Sequence, residues 1–121
     1  MVTGGCGQPV KAVKVKQGPQ ALDVDVATDT VYTANTGSAN NGNTVSVING
    51  AACNGHTSRG CGRVPVTVTV GSAAWWVTVD QASNTVYVAN NNDGTVSVIN
   101  GARCNGHVTS GCHRTDRKSV V

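Results

Sequence analysis

Apolar and polar residues alternate in short runs along most of the chain, which is the pattern of strands that bury one face. Valine is the commonest apolar residue, and its branched side chain suits the surface of a sheet. Asparagine and glycine separate the runs and favour turns. No segment shows the 3.6-residue period of a helix, so the sequence predicts an all-β protein. The predicted strands are residues 10–16, 21–26, 30–35, 44–48, 66–70, 76–79, 85–90 and 95–99.

Two long segments of the chain repeat one another. Residues 85–107 read TVYVANNNDGTVSVINGARCNGH, and residues 30–56 read TVYTANTGSANNGNTVSVINGAACNGH. The earlier copy is longer because the loop at residues 36–43 carries an insertion. A repeat of this length predicts stacked structural units instead of one ordinary core.

Strands in regular groups of four are typical of β-propeller blades. The motif Tyr87-Val88-Ala89-Asn90, followed by TVSVIN at residues 95–100, resembles the YVTN-type β-propeller repeat. Both copies have alanine where the family motif has threonine, and the first copy has Thr33 in place of Val88. The resemblance covers residues 6–112 and implies four-stranded antiparallel blades.

The order of the strands suggests how the blades divide. Residues 1–20 are interpreted as the last strand of a preceding blade with its linker, and residues 21–71 as one complete blade. Residues 72–112 would supply three strands of a second blade, and residues 113–121 form a tail outside the repeat. The chain therefore holds two blades' worth of strands in permuted order, as a fragment of a larger bacterial propeller would. The alternative is a natural short protein with a frayed end.

Five cysteines at repeated spacing favour an oxidising environment. The loops that begin Cys-Asn-Gly are similar to insertions in secreted bacterial propellers of this type. We expect disulfides between Cys53 and Cys61 and between Cys104 and Cys112, which leaves Cys6 without its natural mate. A zinc site, suggested by the Cys-x-x-His spacing, would need free thiolates and is the alternative. The parent protein is predicted to be secreted or at the cell surface, although the first residues lack the apolar core of a signal peptide.

The net charge of +3 is modest and spread along the chain. A solvated basic surface explains it, so no nucleic-acid partner is predicted. No apolar run approaches the roughly 20 residues of a membrane span, so no membrane partner is predicted either.

Candidate binding residues gather in the loops at one end of the predicted blades. An aromatic pair beside amide groups could form the wall of a ligand site at the channel mouth, although one tryptophan could instead pack between blades. Asp23, in an innermost strand, could hold Ca²⁺ or another divalent metal together with asparagine oxygens. A solvated aspartate is the alternative. The candidate ligand-binding residues are Trp75, Trp76, Asn35, Asn90 and Asn91.

The sequence contains no Gly-x-Ser-x-Gly elbow, no HExxH motif, no phosphate loop and no glutamate. This favours a non-catalytic repeat scaffold that binds a ligand or partner through its loop face. The alternative is a metal-dependent hydrolase of lactones or phosphotriesters with its site at the propeller channel, which rests on analogy between folds.

Two blades leave sheet faces without a neighbour, so the chain is predicted to be a homo-oligomer. Residues 10–16 of one chain would lie beside residues 95–99 of another and close a ring. Because propellers have 4–8 blades, we expect three chains in a six-bladed ring, with four chains as the next choice.

Overall fold

The computed structural model describes Gly7 and residues 9–113, and within them it is an all-β protein of two antiparallel sheets. The first sheet has the strand order β1-β2-β3-β4, and the second has the order β5-β6-β7. The strands are β1 (Pro19–Asp25), β2 (Thr30–Asn35), β3 (Thr44–Asn49), β4 (Val66–Thr69), β5 (Ala74–Asp80), β6 (Thr85–Asn90) and β7 (Thr95–Asn100).

One predicted strand is absent. Residues 10–16 are irregular, although valine and lysine alternate there. A strand needs a hydrogen-bonded neighbour as well as an alternating pattern, and these residues lie over a sheet face: Lys14, Val15 and Lys16 line a groove with Ser46 and Thr67 of the first sheet. The prediction of a strand at this position is therefore wrong for the single chain.

The core lies between the two sheets, because each sheet turns one valine-rich face to the other. We call the face that contains Tyr32 the front face of the first sheet, and cross-strand pairing places Ala34, Val45, Val47 and Val68 on it. The opposite side of that sheet, which contains Leu22, is its back face. The second sheet is built the same way, and its back face packs against the front face of the first through Val77, Val86, Val88 and Ile99.

The two sheets use the same turn chemistry. Asp29 and Asn84 occupy equivalent turns before β2 and β6, and both have positive φ angles of about 50° (51° and 52°). Their carbonyl oxygens accept hydrogen bonds from the N–H groups of Gly50 and Gly101. A side chain at either glycine would meet the turn backbone at 2.8 Å, so the Asn-Gly sequence after each TVSVI strand lets the turn close against it.

Two disulfides close the loops that follow β3 and β7. Cys53 is bonded to Cys61 and Cys104 to Cys112, the pairs expected from the sequence. Disulfides of this kind indicate an oxidising environment. Within residues 9–113 no helix is long and apolar enough to cross a membrane. Cys6 and residues 114–121 lie outside the described part of the chain, so the predictions about them stay predictions.

Candidate functional site

The two tryptophans lie at the beginning of β5, at the loop end of the second sheet. Pairing between β5 and β6 shifts register between Ala74 and Trp76, so Trp75 is an extra residue in a β-bulge. The side chains remain 41% (Trp75) and 63% (Trp76) exposed. Bulges re-aim side chains, and this one presents both indoles to solvent.

A shallow pocket surrounds this aromatic pair. Its walls come from the bulge, from the end of β6 and from the turn into β7, which includes Asn90, Asn91 and Gly94. The structure thus brings together four of the five residues predicted to bind a ligand. The hydrogen bond from the Asn91 backbone to Ala73 O (2.8 Å) ties the two sides of the pocket together.

Asn35, the fifth predicted residue, does not line this pocket. Its side chain is buried in the first sheet, where Nδ2 donates to Ser46 Oγ at 2.9 Å and to Thr44 Oγ1 at 3.2 Å. Its Oδ1 accepts a hydrogen bond from Thr33 Oγ1 at 3.0 Å. These contacts make Asn35 a bridge between β2 and β3 and leave it no free group for a ligand.

Asn90 occupies the equivalent position and repeats half of that arrangement. Its Nδ2 donates to Ser97 Oγ at 2.8 Å and to Thr95 Oγ1 at 3.1 Å. Its Oδ1 is buried and has no partner. The reason is visible in the sequence: Val88 stands where the first copy has the donor Thr33.

Asp23 joins the two sheets. One carboxylate oxygen accepts the N–H of Val79 in β5 at 2.7 Å, and the other accepts the N–H of Val24 at 2.8 Å. Calcium takes 6–8 oxygen ligands. Within the described residues no three His, Cys, Asp or Glu side chains lie close enough to hold a metal ion. Both oxygens of Asp23 are thus engaged by backbone N–H groups, and the metal site with asparagine oxygens that the sequence suggested stays a prediction.

Further polar contacts between the sheets run mainly from side chains of one sheet to the backbone of the other. The Tyr32 hydroxyl donates to Cys104 O at 2.6 Å, and the Thr36 hydroxyl donates to Ala74 O at 2.7 Å. Thr30 Oγ1 accepts the N–H of Gly106 at 2.8 Å. Sequence reasoning missed these roles, because each contact joins residues that are far apart along the chain.

Gln81 makes a paired contact across the same interface. Its Oε1 accepts the N–H of Val26 at 3.0 Å, and its Nε2 donates to Val24 O at 2.7 Å. The equivalent position of the first copy is Val26, which has neither group. This difference between the copies is a signal that the sequence did contain.

Asp25 is the most enclosed acidic group of the interface. Its side chain is fully buried, one oxygen accepts the Ala27 N–H at 3.1 Å, and the other has no partner. Burial raises the pKa of Tyr32 far above its usual range, and the charge of Asp25 adds to this effect. The hydroxyl therefore stays protonated and able to donate to Cys104.

Comparison with known proteins gives no relative: no protein-family model, curated protein or solved structure matches the chain significantly.

Proposed function

We propose that the chain is a pair of YVTN-type β-propeller blades acting as an extracellular scaffold, which binds a ligand through the pocket around Trp75 and Trp76. The observation that carries this proposal is the exposed aromatic pair, held by a bulge beside the amide of Asn91. Large rigid aromatic faces next to a few polar groups are the usual composition of a binding site. The packing of two similarly built sheets in series supports the comparison with propeller blades.

The chemistry of the pocket favours a neutral ring-shaped ligand that carries hydroxyl groups. Indole faces offer a flat apolar surface, and the amide of Asn91 offers both a donor and an acceptor. No charged side chain lines the described pocket. A sugar ring combines apolar C–H faces with hydroxyl groups and matches these features.

Titration with neutral oligosaccharides tests this proposal, with tryptophan fluorescence as the readout. Cellohexaose and chitohexaose are suitable probes. We expect a saturable emission change that weakens at least tenfold in Trp75→Ala and is largely retained in Trp75→Phe. His56→Ala, in the exposed disulfide loop at the other end of the sheet, is the control. A folded protein whose emission does not respond to millimolar concentrations of either probe would contradict the ligand pocket.

The scaffold proposal includes assembly. A propeller needs 4–8 blades, so we propose that further copies complete the ring, with three chains giving six blades and four chains as the next choice. The hydrolase alternative rests on fold analogy alone. No described residue arrangement favours it, because Asp23 is engaged by the backbone of both sheets.

A further inference from the structure

We propose that the front face of the second sheet docks onto the back face of the first sheet in a second copy of the chain. The inference rests on the proposed assembly and specifies its contact surfaces. Its basis lies within the single chain. The two sheets already pack front to back, and among the described residues the other face of each sheet is uncovered, except where residues 14–16 lie over Ser46 and Thr67 of the back face, a position that they leave in the proposed ring. The open front face contains Tyr87, Ala89, Val96 and Val98, and the open back face contains Leu22, Val24, Val31 and Ile48. Ala89 and Val96 also line the tryptophan pocket, so a docked copy and a ligand compete for this face, and the oligosaccharide titration belongs at dilutions where the chain is a single molecule.

The front faces of the two sheets have the same residues in different environments. Tyr32 and Ala34 are fully buried against the second sheet. Their equivalents are Tyr87, which is 37% exposed, and Ala89, which is also exposed. The second sheet therefore presents to solvent a surface whose counterpart is covered in the same molecule.

The back faces show the reverse relation. Val77 and Val86 are buried under the first sheet, at 3% and 0% exposure. Leu22, the equivalent of Val77, is 64% exposed, and Val24 is 38% exposed. The disulfide loops follow the same rule, since Asn105 is buried while Asn54 is exposed. Each open face thus corresponds to one side of a contact that the chain has already made.

The polar contacts of the internal interface predict those between copies. Tyr32 donates to Cys104 O, so Tyr87 is placed to donate to Cys53 O of the second copy. Gly106 donates its N–H to Thr30, so Gly55 of the second copy would donate to Thr85. Backbone acceptors and donors are present in every copy, so these bonds need no new side chain.

Three internal side-chain contacts have no identical counterpart between copies, one of them because Asn91 stands where Thr36 donates to Ala74 O. Thr78 replaces Asp23 on the open front face, and Val26 replaces Gln81 beside the open back face. The carboxylate contact and the paired amide contact are therefore lost. The interface between copies has fewer hydrogen bonds than the one inside the chain, so assembly should depend on protein concentration.

The two open faces differ from each other, which determines the symmetry of the contact. A front face meets a back face, so the contact is heterologous and each chain uses both surfaces. Such contacts build rings when the rotation closes. They also allow a sharp test, because a chain with one damaged face should still combine with a chain damaged on the other.

The test uses two full-length variants, Ala89→Arg on the front face and Leu22→Arg on the back face. Both side chains are exposed in the single chain, so neither variant should disturb its fold, and circular dichroism checks this. Light scattering should show wild-type assemblies that grow with concentration. Each variant alone should be monomeric, and an equimolar mixture should form a complex of two chains.

Ala82→Arg is the matched control. Ala82 lies in the turn before β6, and its equivalent Ala27 stays exposed although the first sheet is docked. This variant should assemble like the wild type. A monomeric wild type at all concentrations would overturn both the assembly and the docking mode. A wild type that assembles, with single variants that still self-associate or a mixture that stays monomeric, would overturn only the docking of front face on back face.

Discussion

The hydroxyl of Tyr32 is the clearest example of a single side chain that joins the two sheets. It is fully buried and satisfies the carbonyl of Cys104, which has no access to water. Leaving such a buried acceptor unpaired costs about 1–3 kcal/mol. Removing the Tyr32 hydroxyl should therefore change the free energy of unfolding by a measurable amount.

Tyr32→Phe should lower the free energy of unfolding at neutral pH by about that amount, measured by urea denaturation. The substitution should also change how the free energy of unfolding depends on pH. Because the folded-state pKa of Tyr32 lies above the unfolded value of about 10, its stabilisation is complete below that pH and is lost as pH rises further. The variant should lose less stability than the wild type between neutral and strongly alkaline pH. At dilutions where the chain is a single molecule, Tyr87→Phe is the control, because Tyr87 is exposed there. An equal alkaline loss in Tyr32→Phe and wild type would contradict this assignment.

The residues beside Asn35 and Asn90 that differ between the two copies, Thr33 and Val88, offer a matched pair of substitutions. Thr33→Val should remove the donor to Asn35 Oδ1 and leave that oxygen buried without a partner, at a cost of about 1–3 kcal/mol. Val88→Thr should supply the donor that Asn90 Oδ1 lacks, so it should destabilise the protein less than Thr33→Val does. Urea denaturation of both variants compares them. Equal destabilisation would show that the missing donor does not explain the difference between the copies.

At the scale of the element, the two disulfide loops have equal length and different surroundings. Each disulfide joins residues separated by 8 positions, and the chain-entropy model gives both a stabilisation of roughly 2–3 kcal/mol. The loop of Cys104, however, lies in the interface between the sheets, where the Cys104 carbonyl accepts a hydrogen bond from the Tyr32 hydroxyl. The loop of Cys53 is exposed.

Replacing Cys104 and Cys112 together by alanine should therefore destabilise the protein more than replacing Cys53 and Cys61. The entropic contribution is the same in both cases, so the difference between the two double variants measures how well the loop docks. Thermal unfolding followed by circular dichroism provides the comparison. If both double variants lose the same stability, the docked loop keeps its place without its disulfide.

Seven of the eight predicted strands exist, because alternating valines specify which face of a strand is buried. The same pattern predicted a strand at residues 10–16 that the single chain does not form, because alternation carries no information about a hydrogen-bonding neighbour. The binding residues divide in a similar way. Trp75 and Trp76 could be recognised from composition, whereas the partners of Asp23 and Asn35 could not, because Asp23 bonds the backbone N–H of Val79, 56 positions away.

At the scale of the whole molecule, residues 10–16 are the segment whose structure should depend on assembly. In the single chain these residues lie over the first sheet and pair with no strand. In the proposed ring they would lie beside β7 of a neighbouring chain, whose outer edge has no neighbouring strand among residues 9–113.

Replacing Val13 and Val15 by proline should thus leave the single chain folded and weaken its assembly, because proline cannot donate a strand hydrogen bond. The corresponding double alanine variant controls for the lost side chains. Sedimentation velocity at several concentrations measures the effect. If the proline variant assembles like the alanine variant, strand exchange plays no part and the sheet faces alone hold the copies together.

The contacts between the sheets also bear on how such a chain can change by descent. Tyr32, Thr36 and Asp23 all bond to main-chain atoms of the next sheet, and every amino acid except proline provides both kinds of atom. A duplicated unit can therefore accumulate substitutions and keep these hydrogen bonds, provided that its back face stays apolar. Units joined in this way can be gained, lost or reordered by recombination without a new interface having to arise each time.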